Sequence, residues 1–214
     1  MKRKIDLMVF DLDGTLAETG RDLARSINFM RRKLGLPNLS EEEIKSFVGD
    51  GVKELVVRSL GEKGELYDKA IEIFLDHYRS HLLDSTYLHP GVEECLEHFR
   101  EKRKVVLSNK RQEFVEKIIS AFNLQSYFVE IIGGDKCPFM KPNPRLVVPL
   151  LEKYSVHPER AVIIGDGIND ILLAKRAGMI SCAYLNGLTK REKLLDLKAD
   201  YYCDSLREIK DFFL

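Results

Sequence analysis

Five short apolar runs, Ile5 to Phe10, Val105-Val106-Leu107, Val129 to Ile132, Ala161 to Ile164 and Ile180 to Tyr184, recur along the chain with segments of helical period between them. Strands that alternate with helices pair in parallel, because each crossover helix carries the chain back to the same sheet edge. The expected fold class is therefore α/β, a Rossmann-like parallel sheet covered on both faces. Val92, Cys95, Leu96 and Phe99 mark one covering helix, Phe114, Ile118, Ile119 and Phe122 another, and Ala177-Gly178 closes a third. Pro144 suits the first turn of a helix, but Pro149 falls within the same pattern and predicts a kink or a shortened helix there.

One stretch breaks the alternation. From Glu18 to about Asp84 the periodicity is helical throughout and no strand is evident. Leu23, Ile27, Met30 and Leu34 form a stripe that Gly35 and Pro37 end. Ser40-Glu41-Glu42-Glu43 is a capping box for a second helix, and helices at Val52 to Leu60 and Leu66 to His81 follow. An all-helical block between the first two strands predicts an inserted lid, residues 18–86, on a core of residues 1–17 and 87–214. Thr86 to Gly91 is the return linker, with Pro90-Gly91 as its turn.

Composition narrows the partners. Lys and Arg number 34 against 34 Asp and Glu, so no global field holds a nucleic-acid backbone or an anionic membrane surface. The helical block, with 11 basic and 13 acidic residues, is no nucleic-acid arm. Asp6, Asp11 and Asp13 interrupt the apolar stretch behind Met1-Lys2-Arg3-Lys4, which excludes a secretion signal, and no uncharged run approaches the ~20 residues of a membrane span. A cytoplasmic protein with a small-molecule partner is expected. Monomer and homodimer stay equally open. Cys95, Cys137, Cys182 and Cys203 form no C-x-x-C and imply neither a disulfide framework nor zinc.

Asp11 and Asp13, in Phe10-Asp11-Leu12-Asp13-Gly14-Thr15-Leu16, stand where the first strand runs out, and parallel sheets bind ligands beyond the carboxyl ends of their strands. A spacing of two lets both carboxylates point one way while Leu12 points the other. Carboxylates this close repel unless a cation lies between them, and Mg²⁺ suits a site of few carboxylates plus a phosphate. Asp166 and Asp170, in Gly165-Asp166-Gly167-Ile168-Asn169-Asp170, follow another strand at the same edge and complete such a site. Asp166 alone equally suits the N-cap of the next helix. Ser108 at a strand end and Lys141 in Met140-Lys141-Pro142-Asn143-Pro144 offer a hydroxyl and an ammonium to a phosphoryl group. Each taken singly also fits a turn serine and a solvated lysine.

Taken in order, these four segments resemble the motifs of haloacid dehalogenase (HAD) superfamily phosphatases, and the resemblance covers nearly the whole chain. It implies a HAD fold with a helical cap and phosphotransfer, since the dehalogenase branch lacks the acid at the Asp13 position. Phe47-Val48-Gly49-Asp50-Gly51-Val52 is similar to the cap of the phosphoglycolate phosphatases. Carried onto matching positions, the family implies Asp11 as nucleophile and Asp13 as general acid and base. Ser108, the Asn109 amide and Lys141 hold the phosphoryl oxygens. Mg²⁺ is held by Asp11, Asp166 and the Asp13 main-chain carbonyl, with Asp170 supporting the metal through water or orienting Lys141. The implied reaction is hydrolysis of 2-phosphoglycolate to glycolate and phosphate. Its alternatives are action on pyrophosphate or a sugar phosphate, a phosphoglucomutase-like isomerase, and, from another class, an aspartyl-phosphate receiver module.

In the cap, the Gly49 and Gly51 amides beside Asp50 offer a site for a substrate carboxylate, with Lys53 adding charge; a plain interhelical loop with an exposed lysine explains them equally well. His77, Tyr78 and His81 at helical spacing suit packing or surface, His89 suits a linker, and the basic runs Arg31-Arg32-Lys33 and Lys102-Arg103-Lys104 suit solvated helix ends.

Overall fold

The computed structural model describes residues 2–214. The chain opens with β1 (Leu7–Phe10) and the two-residue β2 (Ala17–Glu18), then runs through α1 (Gly20–Lys33), α2 (Glu41–Lys45), α3 (Gly51–Leu60) and α4 (Tyr67–His81) before β3 (Tyr87–Leu88). Strand and helix then alternate: α5 (Val92–His98), β4 (Arg103–Leu107), α6 (Gln112–Ala121), β5 (Glu130–Ile132), α7 (Val148–Tyr154), β6 (Ala161–Gly165), α8 (Ile168–Ala177) and β7 (Ile180–Tyr184). Short α9 (Arg191–Asp196), β8 (Tyr201–Cys203) and α10 (Ile209–Phe212) finish it.

Six strands make one parallel sheet in the order β5-β4-β1-β6-β7-β8, so β1 lies centrally between β4 and β6. Every β1 residue is buried, and alternation assigns its side chains to two cores. Met8 and Phe10 pack with Val106, Val162 and Ile164 on one face; Leu7 and Val9 pack with Val105, Leu107 and Ile163 on the other. All five expected strands are present, with β1 starting two residues later than its apolar run.

The expected helices of the inserted block also form. Ile27, Met30, Ile44, Val56, Phe74 and Tyr78 are buried in one cluster that reaches Phe10. The block leaves and rejoins the sheet through an antiparallel ribbon, in which Ala17 pairs with Leu88 and Glu18 with Tyr87. This ribbon and β8 went unpredicted, because two or three residues carry no period. The wholly buried Asp22 ties the return: its Oδ2 accepts from Ser85 N at 2.9 Å, Thr86 N at 2.8 Å and Thr86 Oγ1 at 2.9 Å.

Four details differ from expectation or refine it. Ser40 Oγ accepts from Glu43 N at 3.2 Å, but among the described residues Glu43 makes no reciprocal bond, so half of the capping box forms. Pro149 sits in the first turn of α7, after a separate 3-10 turn at Pro144–Leu146, where its missing N–H removes no helical bond. Arg31 and Lys104 are buried rather than solvated: Arg31 donates to the Pro37 and Ser59 carbonyls, and Lys104 Nζ to the carbonyls of Phe99, Arg100 and Lys102. His89 is buried beside the Tyr184 hydroxyl, 3.3 Å from its Nδ1. No described helix is long and apolar enough to cross a membrane.

Candidate active site

The carboxyl ends of the central strands carry the acids. Asp11 follows β1, its N–H donating to Ile164 O at 3.0 Å, so the carboxylate leaves the sheet beside β6. Leu12 points away and is fully buried. Gly14 makes the turn at φ +81°, and a Cβ there would collide with the Asp166 carboxylate, which fixes both its backbone conformation and its lack of a side chain. Thr15, which sequence reasoning passed over, bonds Asp166 twice: its Oγ1 donates to Asp166 Oδ1 at 2.7 Å and accepts from Asp166 N at 2.9 Å. Leu188 N donates to Asp166 Oδ2 at 2.7 Å. Asp166 is thus held at the strand edge beside Asp11 and does not cap α8, whose N-cap is Gly167.

Lys141 stands between two acids, with Nζ 2.8 Å from Asp11 Oδ1 and 2.7 Å from Asp170 Oδ1. The Asp170 Oδ2 accepts from Gly167 N at 3.0 Å, so both its oxygens are engaged and it orients Lys141. Asn109 splints the lysine's backbone: Lys141 N donates to Asn109 Oδ1 at 2.8 Å, and Asn109 Nδ2 donates to Lys141 O at 3.1 Å. The Asn109 main-chain N–H has no chain acceptor among the described residues, and Ser108 Oγ accepts from Lys110 N at 3.3 Å while keeping its own proton to give. Two donors thus remain for an anion beside Asp11.

Carboxylate oxygens of Asp11, Asp166 and Asp170 lie within 4.8 Å of one another, whereas the Asp13 carboxylate stands apart from them. It pairs with Lys110 Nζ at 2.8 Å and accepts from Thr19 Oγ1 at 2.5 Å, so any part Asp13 takes in metal binding falls to its main chain. Burial, reinforced by neighbouring acids, pushes Asp11 and Asp166 up to about 7. Burial alone works against the Lys141 ammonium, but Asp11 and Asp170 outweigh it and raise its pKa. Three carboxyl groups share one ammonium in this buried site, so ionising all three leaves negative charge uncompensated. A hard divalent cation would supply what is missing, and the all-oxygen donor set would suit Mg²⁺.

The sign of that electrostatics gives a prediction. Carboxyl groups raised above their reference of 3.8 contribute folded-state stability below it, and lose that contribution as pH rises through about 7. Mg²⁺ must therefore restore more at pH 8 than at pH 5. At a concentration ~100-fold above its Kd at pH 8 it should raise Tm by about 5–10 °C there, and the same concentration should raise it by less at pH 5. A scanning-fluorimetry titration at the two pH values reads this; equal shifts, or none, contradict the site.

The helical block covers these groups. Gly49 O accepts from Asn109 Nδ2 at 2.8 Å and from Asn169 Nδ2 at 3.2 Å, and Asp50 Oδ1 accepts from Asn169 Nδ2 at 2.6 Å. The loop's chief contacts are thus with the core, and Asp50 also pairs with Arg58 at 2.5 Å. Gly49 and Gly51 line the covered space, but Lys53 is exposed and lines no cavity at the site, because α3 turns it to solvent; its expected role is withdrawn.

Two spaces meet at Asp11 and Lys141. An outer groove of about 700 Å³ runs past Asp170 and Lys190. An inner chamber of about 60 Å³ lies under the helices, walled by Leu23, Val52, Leu55, Phe74 and Phe114. Asp13 opens onto the inner chamber alone. Lys110 and Tyr78, the one unmarked and the other read as packing, also line it.

The parallel sheet, the four clustered motifs and the covering helices define a class. Residues 8–184 match the family described as haloacid dehalogenase-like hydrolase, and the chain belongs to it as a phosphatase. The phosphoglycolate phosphatase of Vibrio vulnificus strain CMCP6 is 32% identical over 223 residues, covering 100% of this chain and 98% of its own. That of Vibrio parahaemolyticus is 34% identical over 218 residues, covering 97% and 96%. The crystal structure of a predicted phosphoglycolate phosphatase from Haemophilus somnus superposes with a TM-score of 0.92 at 28% identity, covering 98% of each chain.

Proposed function

We propose that the chain is a Mg²⁺-dependent phosphomonoesterase that hydrolyses 2-phosphoglycolate to glycolate and phosphate through an aspartyl-phosphate on Asp11. Residues 18–86 act as its cap and residues 1–17 with 87–214 as its catalytic core. The observation that carries the reading is the placement of Asp13. The acid that meets the leaving oxygen faces only the small inner chamber, so the leaving group lies there and not in the wide groove.

A chamber of about 60 Å³ accepts four to six water-sized positions at ~10–15 Å³ each. That favours a leaving group the size of glycolate over a hexose. The relatives' names point the same way.

Ser108 Oγ, the Asn109 N–H and the Lys141 ammonium bind the phosphoryl oxygens and hold phosphorus in line with Asp11. Asp11 attacks, and Asp13 gives its proton to the departing glycolate oxygen. Asp13 then takes a proton from the water that opens the acyl phosphate, which returns Asp11 as carboxylate and releases phosphate. Asp11, Asp166 and the Asp13 carbonyl are the residues that would hold Mg²⁺, which supplies charge neutralisation for both carboxylates and phosphoryl. The apolar walls keep bulk water from the intermediate until glycolate departs.

A panel of phosphate esters, assayed with Mg²⁺ and again with EDTA, tests this. Phosphate release should depend on the metal and be fastest, by kcat/KM, for 2-phosphoglycolate. A flat profile, or one led by sugar phosphates or pyrophosphate, contradicts the substrate.

A further inference from the structure

Lys110 is a buried cation in the inner chamber that phosphoryl binding does not use. It follows Asn109 off β4, its side chain is 6% exposed, and its Nζ lies 2.8 Å from Asp13 Oδ1 and 4.8 Å from the centre of the Tyr78 ring. The other two cations on the chamber wall are committed elsewhere. Lys141 is held by Asp11 and Asp170, and the Arg111 guanidinium lies 3.4 Å from Glu113 and 3.6 Å from Asp135.

Beside Lys110, the Tyr78 hydroxyl is buried and has no hydrogen-bond partner among the described residues. A buried hydroxyl left unpaired is costly, and an ammonium with three donors retains capacity after meeting one carboxylate oxygen. Thr19 Oγ1 also holds Asp13 Oδ1, so Asp13 keeps a donor when the ammonium is shared. Leu23, Val48, Val52, Leu55, Phe74 and Phe114 line the same chamber and offer no hydrogen-bonding group to a leaving group.

We infer that Lys110 Nζ and the Tyr78 hydroxyl together receive the carboxylate of the leaving group, and so select phosphate esters with a carboxylate one carbon from the ester oxygen. The inference rests on the proposed reading of Asp13 as the acid at the leaving oxygen. It moves carboxylate recognition from the exposed Lys53 to the floor of the chamber, where desolvation strengthens an ion pair and the loss of either donor is felt.

The test compares kcat/KM for 2-phosphoglycolate and for 2-hydroxyethyl phosphate, which replaces the carboxylate by a neutral hydroxymethyl group. The wild-type enzyme should favour the acid by at least ~100-fold, as a site built around a charged donor rejects the analogue lacking its partner. Lys110→Met should collapse that ratio to less than about tenfold, and the isosteric Tyr78→Phe should lower it roughly fivefold. A role confined to folding or to Asp13 slows both esters alike, and an unchanged ratio in either variant overturns the inference. If Lys110→Met does not fold, as read by its thermal melt, Tyr78→Phe decides. A wild-type enzyme that cleaves both esters equally well also overturns the inference while the phosphatase reading stands. One that cleaves neither fails the proposed function itself.

Discussion

Asp11→Asn should lower kcat by at least ~10⁴-fold while leaving the protein as stable as before or more so. The amide keeps an oxygen for the 2.7 Å bond from Leu12 N, and Lys141 keeps Asp170 as its ion-pair partner. What disappears is the nucleophile, together with one charge of an acidic trio in which burial, and then repulsion from Asp170, push Asp11 up to about 7. Losing a strained charge costs the fold nothing, so loss of activity and loss of stability separate. Steady-state assay and thermal melting of the same preparation check both halves. A variant retaining a tenth of the activity would exclude Asp11 as nucleophile.

The second large effect falls on stability. Lys141→Met removes the cation that, among the described residues, alone pairs with Asp11 and Asp170, and truncating one side of a buried ion pair typically costs about 3–5 kcal/mol. The loss should be visible in urea unfolding of the metal-free protein at pH 8, and turnover should fall with it. It should shrink at pH 5. Burial, with Asp170 and Asp13 reinforcing it and Lys141 opposing it, raises Asp11; burial, opposed by Lys141, raises Asp170. Removing the lysine therefore raises both further, so at lower pH they are neutral and no longer repel. A deficit that does not depend on pH would mean that Lys141 acts through packing alone.

The two effects explain why part of this site was legible in one sequence. Asp11, Asp166 and Asp170 follow strands or open helices, and the parallel topology brings strand ends to one edge whatever the sequence distance between them. Their meeting follows from the alternation of strand and helix. Lys141 was readable only in company with the acids, since a lysine's direction is set by tertiary packing, here by Asn109 holding its backbone at both polar groups.

Thr15, Lys110 and Tyr78 were harder for the same reason. Thr15 is within a motif but acts on an acid 151 positions away. Lys110 looks like any lysine after a strand. Tyr78 shows the period of a packed helix, and it is packed, with Phe74 and Phe114 against its ring. Only its unpaired hydroxyl distinguishes it, and hydrogen bonding across a chamber has no sequence period. Lys53 illustrates the converse. Its neighbours Gly49 and Gly51 do line the site, but one turn of α3 carries the ammonium to solvent.

The central claim is that Asp11 becomes esterified within this cluster. The direct measurement is mass spectrometry of peptides from enzyme quenched in acid during turnover of 2-phosphoglycolate with Mg²⁺. The account predicts a phosphoryl adduct on Asp11 that appears with substrate, decays when substrate is exhausted and is absent from Asp11→Asn. An adduct on another residue, or rapid turnover with none on Asp11, would contradict it.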